Sequence, residues 1–219
     1  MARNEPVAVI GLGRFGRALA LELARGGTEV LGVDVDPRVV QGLAGQLEQV
    51  VVADASDVEA LREIGIAGFT RAVVAIGTNL QASIITTSLL SDLEVDDIWA
   101  KALDDQQARI LRRVGAHHVV LPEHDMGERV AHLVSGRALD YLEVDEGWVL
   151  AKTRPPHHLV GVPLGRSGLR AKRRVTVVSV KPAQEQRYRH TDTTTVLAYG
   201  DEILVAGAPA DVDRFIDEM

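Results

Sequence analysis

The chain contains no cysteine. Disulfide scaffolds, thiolate zinc sites and thiol nucleophiles are thereby excluded. Aromatic residues are scarce, 4% of 219, too few for a platform that stacks single-stranded nucleic acid. Basic residues are outnumbered, 24 against 31 acidic ones, and the net charge is −7. General binding to a phosphate backbone is disfavoured, and no nucleic-acid partner is expected. No apolar run reaches the ~18 residues needed to cross a bilayer. The opening MARNEPVAVIGLG enters a strand-like run without a signal-peptide pattern. These absences predict a soluble, cytoplasmic chain. The rest is ordinary globular composition, 46% hydrophobic and 25% charged, enough for one large domain or two small ones.

Up to about residue 121, short apolar runs alternate with amphipathic stretches. Residues 7–10, 29–34, 50–53, 72–76, 98–102 and 118–121 read as six strands. Their Val, Ile and Ala content, without clean alternation, suits a parallel sheet covered on both faces. Residues 14–25, 37–47, 58–64, 80–93 and 105–114 read as the helices between them. Strand and helix in strict alternation predict a Rossmann-like, doubly wound α/β domain over residues 1–122. The apolar segment 80–93 suits either a sheet-covering helix or a surface between subunits. After Pro122 the rhythm changes. A lone helix is expected over 128–139, within a crossover segment 123–139. Strands follow at 141–144, 149–153, 175–180 and 203–206, with a final helix at 211–217. The polar stretch 183–195 reads as a solvated loop or an edge hairpin. A small α+β C-terminal subdomain over 140–219 is the expectation.

Gly11-Leu12-Gly13-Arg14-Phe15-Gly16 follows the first strand and opens the first helix. Gly11 permits the tight turn, Gly13 lets a pyrophosphate approach the backbone, and Gly16 lets the helix pack close. Asp34, ending the second strand, can accept from both ribose hydroxyls, which disfavours a 2′-phosphate. Val35 adjoins it. Asp54 and Ala55 follow the third strand and Ile76 and Gly77 the fourth, so they face the same crevice. Asp54 equally suits a helix N-cap, as does Asn79. The seven histidines fall in no catalytic signature, and no Walker A Lys-Ser/Thr pair is present. The nucleotide is expected to be sensed rather than consumed, and no enzyme activity is expected.

VAVIGLGRFG, VVADASD, VVAIGTNLQASIITTSLL, IWAKA and LPEHDMG closely resemble the KtrA/TrkA family. These are cytosolic gating proteins of bacterial potassium uptake, built from RCK (regulator of potassium conductance) domains. The second half, GVPLGRSGLRAKRRVTVVSVK and YGDEILVAGAPADVDRF, looks like the small C-terminal RCK subdomain. The resemblance implies a homodimer assembling into an octameric ring beneath a membrane pore subunit of KtrB/TrkH type. It implies ATP and ADP competing for the N-terminal site, or NAD/NADH as in some relatives. By that analogy Arg14 meets the γ-phosphate and Lys101 reaches phosphate, while Glu123 helps bind a cation, Mg²⁺ or Ca²⁺. Cyclic di-AMP binding at the C-terminal subdomain would draw on Arg170 and the basic run after it. There this chain departs from the family's pattern, with Arg174 in place of a usual glycine. Two alternatives remain: an NAD(H)-binding regulator of another potassium channel or antiporter, and an NAD-dependent oxidoreductase, which lacks its catalytic constellation here.

Overall fold

The computed structural model describes residues 5–135, 138–145 and 147–218. The chain divides between His124 and Asp125 into two compact units.

The N-terminal unit is built on a six-stranded parallel sheet: β1 (Val7–Ile10), β2 (Val30–Asp34), β3 (Gln49–Val52), β4 (Arg71–Val74), β5 (Asp97–Lys101) and β6 (His118–Val120). The spatial order is β3-β2-β1-β4-β5-β6, so the winding reverses between β1 and β4. That reversal opens a crevice at the carboxyl ends of the strands. Parallel pairing in this order needs a crossover after every strand. These are α1 (Arg14–Arg25), α2 (Pro37–Gln41), α3 (Val58–Glu63), α4 (Leu80–Asp92) and α5 (Asp105–Arg113). Alternate strand residues feed two apolar cores. Ala8, Ile10, Leu31 and Val33 pack with Leu61, Leu90 and Leu111 on one side. On the other, Val7, Val9 and Val30 pack with Ala20, Leu43 and Leu47.

The second helix is shorter than residues 37–47. Gly42 caps it, and Gly42 and Gly45 both weaken helix propagation. Leu43 and Leu47 are nonetheless buried, so the apolar spacing beyond Gln41 marks a packed turn rather than helix. Helix α4 buries Ser83, Thr86, Thr87 and Leu90, and Ile84 and Leu89 pack against the sheet core. It covers the sheet, as one of the two readings expected. Helix α6 runs Pro122–Val134, earlier than the expected 128–139, of which residues 136 and 137 lie outside the described residues. Pro suits a first helical position and an acidic residue the first turn, and Pro122-Glu123 supplies both.

The C-terminal unit carries a five-stranded antiparallel sheet in the order β10-β9-β11-β8-β7. Its strands are β7 (Asp140–Asp145), β8 (Trp148–Thr153), β9 (Thr176–Lys181), β10 (Arg189–His190) and β11 (Glu202–Gly207). Burial alternates along β8 and β11, as expected of a sheet with one covered face. Val149, Ala151, Ile203 and Val205 point to the core, where α9 (Pro209–Ile216) adds Val212, Phe215 and Ile216. Strand β10 pairs with β9 at the edge, making 183–195 a hairpin rather than a free loop. The one-turn helices α7 (Leu164–Ser167) and α8 (Leu169–Arg173) were not foreseen. Segments of four and five residues carry too little periodicity to be read.

Candidate functional site

The crevice at the strand ends of the N-terminal unit has a volume of about 510 Å³. Each wall is one strand's exit. At the centre, β1 leads into Gly11, whose φ of +90° lies where side chains are disfavoured. The chain turns there and enters α1 at Gly13. No side chain caps this helix, so its first amides face the crevice unclaimed by a capping group, an arrangement suited to an anion. A Cβ at Gly13 would meet nothing within 4 Å, leaving room for a ligand against the backbone. A Cβ at Gly16 would clash with the Gly11 carbonyl oxygen. Gly16 thus holds the helix against the turn from behind, outside the lining.

Beside this turn, Asp34 is already oriented. Its Oδ2 accepts the Leu12 N–H at 2.7 Å and its Oδ1 the Asp36 N–H at 2.9 Å. An ionised carboxylate has about four lone-pair sites, so each oxygen keeps capacity for a hydroxyl. Leu12 lies outside the crevice: its amide steers Asp34 while its buried side chain packs in the second core. Exposed Val35 lies next along the wall. Past β3, Asp54 Oδ1 accepts both the N–H and the hydroxyl of Ser56, at 2.9 and 2.6 Å, which lowers the carboxyl's pKa. Asp54 is not the N-cap of α3; Asp57 is, accepting from the Glu59 N–H. Asn79 does cap α4, through the Ala82 N–H.

On the far side stand the cations. Lys101, at the end of β5, is buried, 7% exposed. Its Nζ bonds Glu123 Oε1 at 2.6 Å and lies 5.7 Å from the Phe15 ring centroid, over its face. A Cβ added at Gly77 would sit 3.1 Å from that Nζ, so Gly77 makes space for the lysine. The Lys101 bond, helped by the charge of Arg14, holds the Glu123 carboxyl below its usual pKa. Exposed Arg14 lines the same end.

The structure therefore gathers Gly11, Gly13, Arg14, Phe15, Asp34, Val35, Asp54, Ala55, Ile76, Gly77, Lys101 and Glu123 around one crevice. Leu12 and Gly16 stand behind it. Ser56, Thr78, Ala82 and Thr86 also line it and were missed. The rule that ligands lie beyond strand ends would have reached Ser56 and Thr78 if carried two residues further. Thr86 had no local signal. It lines the crevice from within α4, where its hydroxyl holds the Ala55 carbonyl at 3.0 Å. Arg170 belongs to the C-terminal unit. It lines a separate crevice of about 490 Å³ with Gly165, Thr191 and Asp192.

Fold and crevice define a Rossmann-like domain followed by a small antiparallel subdomain. Residues 7–122 match the TrkA-N domain family and residues 150–219 the TrkA-C domain family. The Ktr system potassium uptake protein C of Bacillus subtilis (strain 168) is 38% identical over 95% of this chain and 94% of its own. The Ktr system potassium uptake protein A of Vibrio alginolyticus is 35% identical over 93% of each. The chain belongs to this TrkA/Ktr family of potassium uptake proteins, as the VAVIGLGRFG and LPEHDMG segments implied. The GsuK RCK domain matches at 22% identity and a TM-score of 0.52 over 99% of this chain, which spans about half (47%) of that one. The GsuK channel bound to NAD matches at 21% and 0.52, over 99% of this chain and 39% of that one. GsuK bound to ADP matches at 24% and 0.53, over 63% and 35%. These neighbours share the fold. No described helix is long and apolar enough to cross a membrane.

Proposed function

We propose that the chain is a regulatory subunit of a potassium uptake system, binding ATP and ADP in the N-terminal crevice to gate a separate membrane pore subunit. The observation that carries this reading is the order of charge along the strand ends. Carboxylates stand at β2 and β3, the uncapped helix start at β1, and Arg14 and Lys101 towards β5. A nucleotide laid along that row finds Asp34 for its ribose hydroxyls and Val35, Asp54 and Ala55 around its base. Its phosphates find the α1 amides and the two cations.

The γ-phosphate is what distinguishes the two ligands. Its added charge at the cationic end competes with Glu123 for Lys101. Released from that bond, Glu123 fits as one oxygen ligand of a Mg²⁺ or Ca²⁺ ion whose other ligands are phosphate and water oxygens. Among the described residues no group of three or more His, Asp or Glu is arranged to hold a metal by itself, so such an ion would arrive with the nucleotide. Gating needs different affinities of the two nucleotides for two states of an assembly, since a ligand that binds both states equally shifts nothing. A homodimer within an octameric ring, on the cytoplasmic face of the membrane beneath a KtrB/TrkH-like pore, is the assembly this reading uses. The reading assigns no catalytic step. Cyclic di-AMP at the Arg170 crevice is a further element of the proposal.

Calorimetry on nucleotide-stripped protein with ATP, ADP and NADH, with and without Mg²⁺ or Ca²⁺, tests it. Micromolar ATP and ADP binding, strengthened for ATP by the cation, is expected. A second reading, NAD(H) binding in a regulator of another channel or antiporter, is favoured by the fold-sharing GsuK channel bound to NAD. Tight NADH binding with little response to ATP would select it.

A further inference from the structure

The basic run Arg170-Ala171-Lys172-Arg173-Arg174 is not one patch. Arg170 lines the crevice with Thr191 and Asp192. Lys172, Arg173 and Arg174 line a different one, of about 400 Å³, with Asp211, Arg214 and Glu218 of the last helix and the residues after it. We propose that this second crevice is a binding site for a phosphate group, separate from both the nucleotide crevice and the Arg170 crevice.

The charge balance is the first argument. Four cations face two carboxylates in a chain whose net charge is −7. Both carboxylates are engaged. Glu218 Oε1 pairs with Arg173 at 2.9 Å, and Asp211 pairs with Arg214 within α9. Among the described residues no ion pair holds Lys172 or Arg174. A concave site with two surplus cations raises the local concentration of anions. Guanidinium forks suit the oxygens of a phosphate particularly well.

The second argument is backbone conformation. Arg174 has φ +58°, in the left-handed region that side chains other than Asn and Asp seldom occupy. The fold demands this conformation. The Arg174 carbonyl lies where a Cβ on Gly207 would come within 3.1 Å, so the turn into β9 is pressed against the end of β11. Glycine would satisfy the turn without strain. Arginine pays for its place with backbone strain, and strain of this kind points to a use for the side chain. That side chain is exposed and lines the crevice beside Lys172. A phosphate group is the simplest chemistry to draw on both.

The test removes the nucleotide crevice from the measurement. Gly13→Asp places a carboxylate where phosphate would meet α1, at a position with open space around the new Cβ and a favourable N-cap residue. In this full-length background, calorimetric titration with inorganic pyrophosphate at constant ionic strength is expected to show saturable binding. Arg174→Gly with Lys172→Gln is expected to weaken it at least tenfold, while the melting temperature holds or rises because the left-handed strain is relieved. Vesicles of phosphatidic acid in phosphatidylcholine, against phosphatidylcholine alone, form the second arm. Sedimentation with the acidic vesicles, reversed by pyrophosphate and lost in the double variant, identifies a lipid headgroup as the source. Pyrophosphate binding without sedimentation identifies a soluble ligand. Neither binding, or binding unchanged by the double variant, overturns the proposal.

Discussion

The two units bury their sheets differently, and their ligand crevices differ for the same reason. In the N-terminal unit every strand is parallel, and at the centre of the sheet apolar residues pack on both faces, so burial along β1 is continuous. Side chains cannot form a site on such faces, and the available surface is the row of strand ends, where residues from several loops converge. In the C-terminal unit the strands are antiparallel and burial alternates. Its crevices lie beside the short helices α7 and α8 and the last helix. A parallel sheet thus concentrates one site at one edge, while the antiparallel sheet leaves charged side chains on its open face and around its rim.

The largest expected effect tests where the second core is anchored. Phe215 is fully buried beneath β8 and β11, and Phe215→Ala leaves a cavity costing about 4 kcal/mol. The chain has two tryptophans, Trp99 on β5 and Trp148 on β8. In a Trp99→Phe background, Trp148 fluorescence reports the C-terminal sheet, and its denaturation midpoint should fall sharply. An unchanged midpoint would mean that α9 does not hold this sheet.

Gly16→Ala comes next and falls on the other unit. The added methyl meets the Gly11 carbonyl oxygen, a backbone atom that can move only by opening the turn. A cost of about 2–3 kcal/mol is expected, with loss of nucleotide binding by calorimetry of at least tenfold. Gly207→Ala is the matching change in the C-terminal unit. Its new methyl lies 3.1–3.2 Å from the Arg174 carbonyl and the Val175 and Val212 side chains, and the cost should be about 1 kcal/mol, without effect on nucleotide. Equal costs would remove the distinction between a turn built for close approach and a merely snug one.

Thr86→Val is smaller. It deletes the buried hydroxyl that holds the Ala55 carbonyl and should cost about 1–2 kcal/mol. Because Ala55 lines the crevice, nucleotide affinity should drop several-fold in the same calorimetric experiment. Unchanged affinity would show that the β3 exit needs no support from α4.

The same contrast explains what could be read from the chain. Short apolar runs between helical stretches made β1 to β6 legible within a residue or two, because strands of a parallel sheet flanked by helices need no strict alternation. The glycine turn and Asp34 were legible because each depends on local backbone and on strand ends. Lys101 was reached only through family resemblance, since a single lysine on a strand says nothing of the Glu123 carboxylate 22 residues later. Thr86 was invisible for the same reason. In the C-terminal unit the long strands could be read, but α7, α8 and the division of the RAKRR run between two crevices could not. Five consecutive residues share no visible periodicity, and which crevice each lines depends on tertiary turns set by Gly168 and Arg174.

The smallest prediction contrasts two carboxylate–lysine contacts, one in each unit. Glu123 bonds one buried lysine but is itself 58% exposed, and its position at the crevice suits exchange of partners. Glu202, on β11, bonds two: Lys181 at 2.7 Å and Lys152 at 2.9 Å, with Tyr188 donating a third contact at 3.3 Å. Lys181 first and then Lys152 pull its pKa from 4.5 down to about 2, against the cost of burial. A carboxyl with a depressed folded pKa contributes stability above its unfolded value, lost as pH falls through the folded one. The contribution of Glu202 should therefore be complete above about pH 5 and vanish on acidification towards pH 2. The full shift would correspond to about 3 kcal/mol, but the cluster lies on a partly solvated sheet face, and screening reduces this to about 1 kcal/mol. Glu202→Gln should lower C-terminal unit stability by that amount at pH 7, read from Trp148 in denaturant. The gap to the parent should close as pH is lowered from about 4.5. A gap that stays constant with pH would assign the loss to packing rather than to charge. The corresponding Glu123→Gln change should lower N-terminal stability in the absence of ligand, because it takes the counter-charge from buried Lys101. It should alter nucleotide binding as well, whereas Glu202→Gln should leave nucleotide binding unchanged.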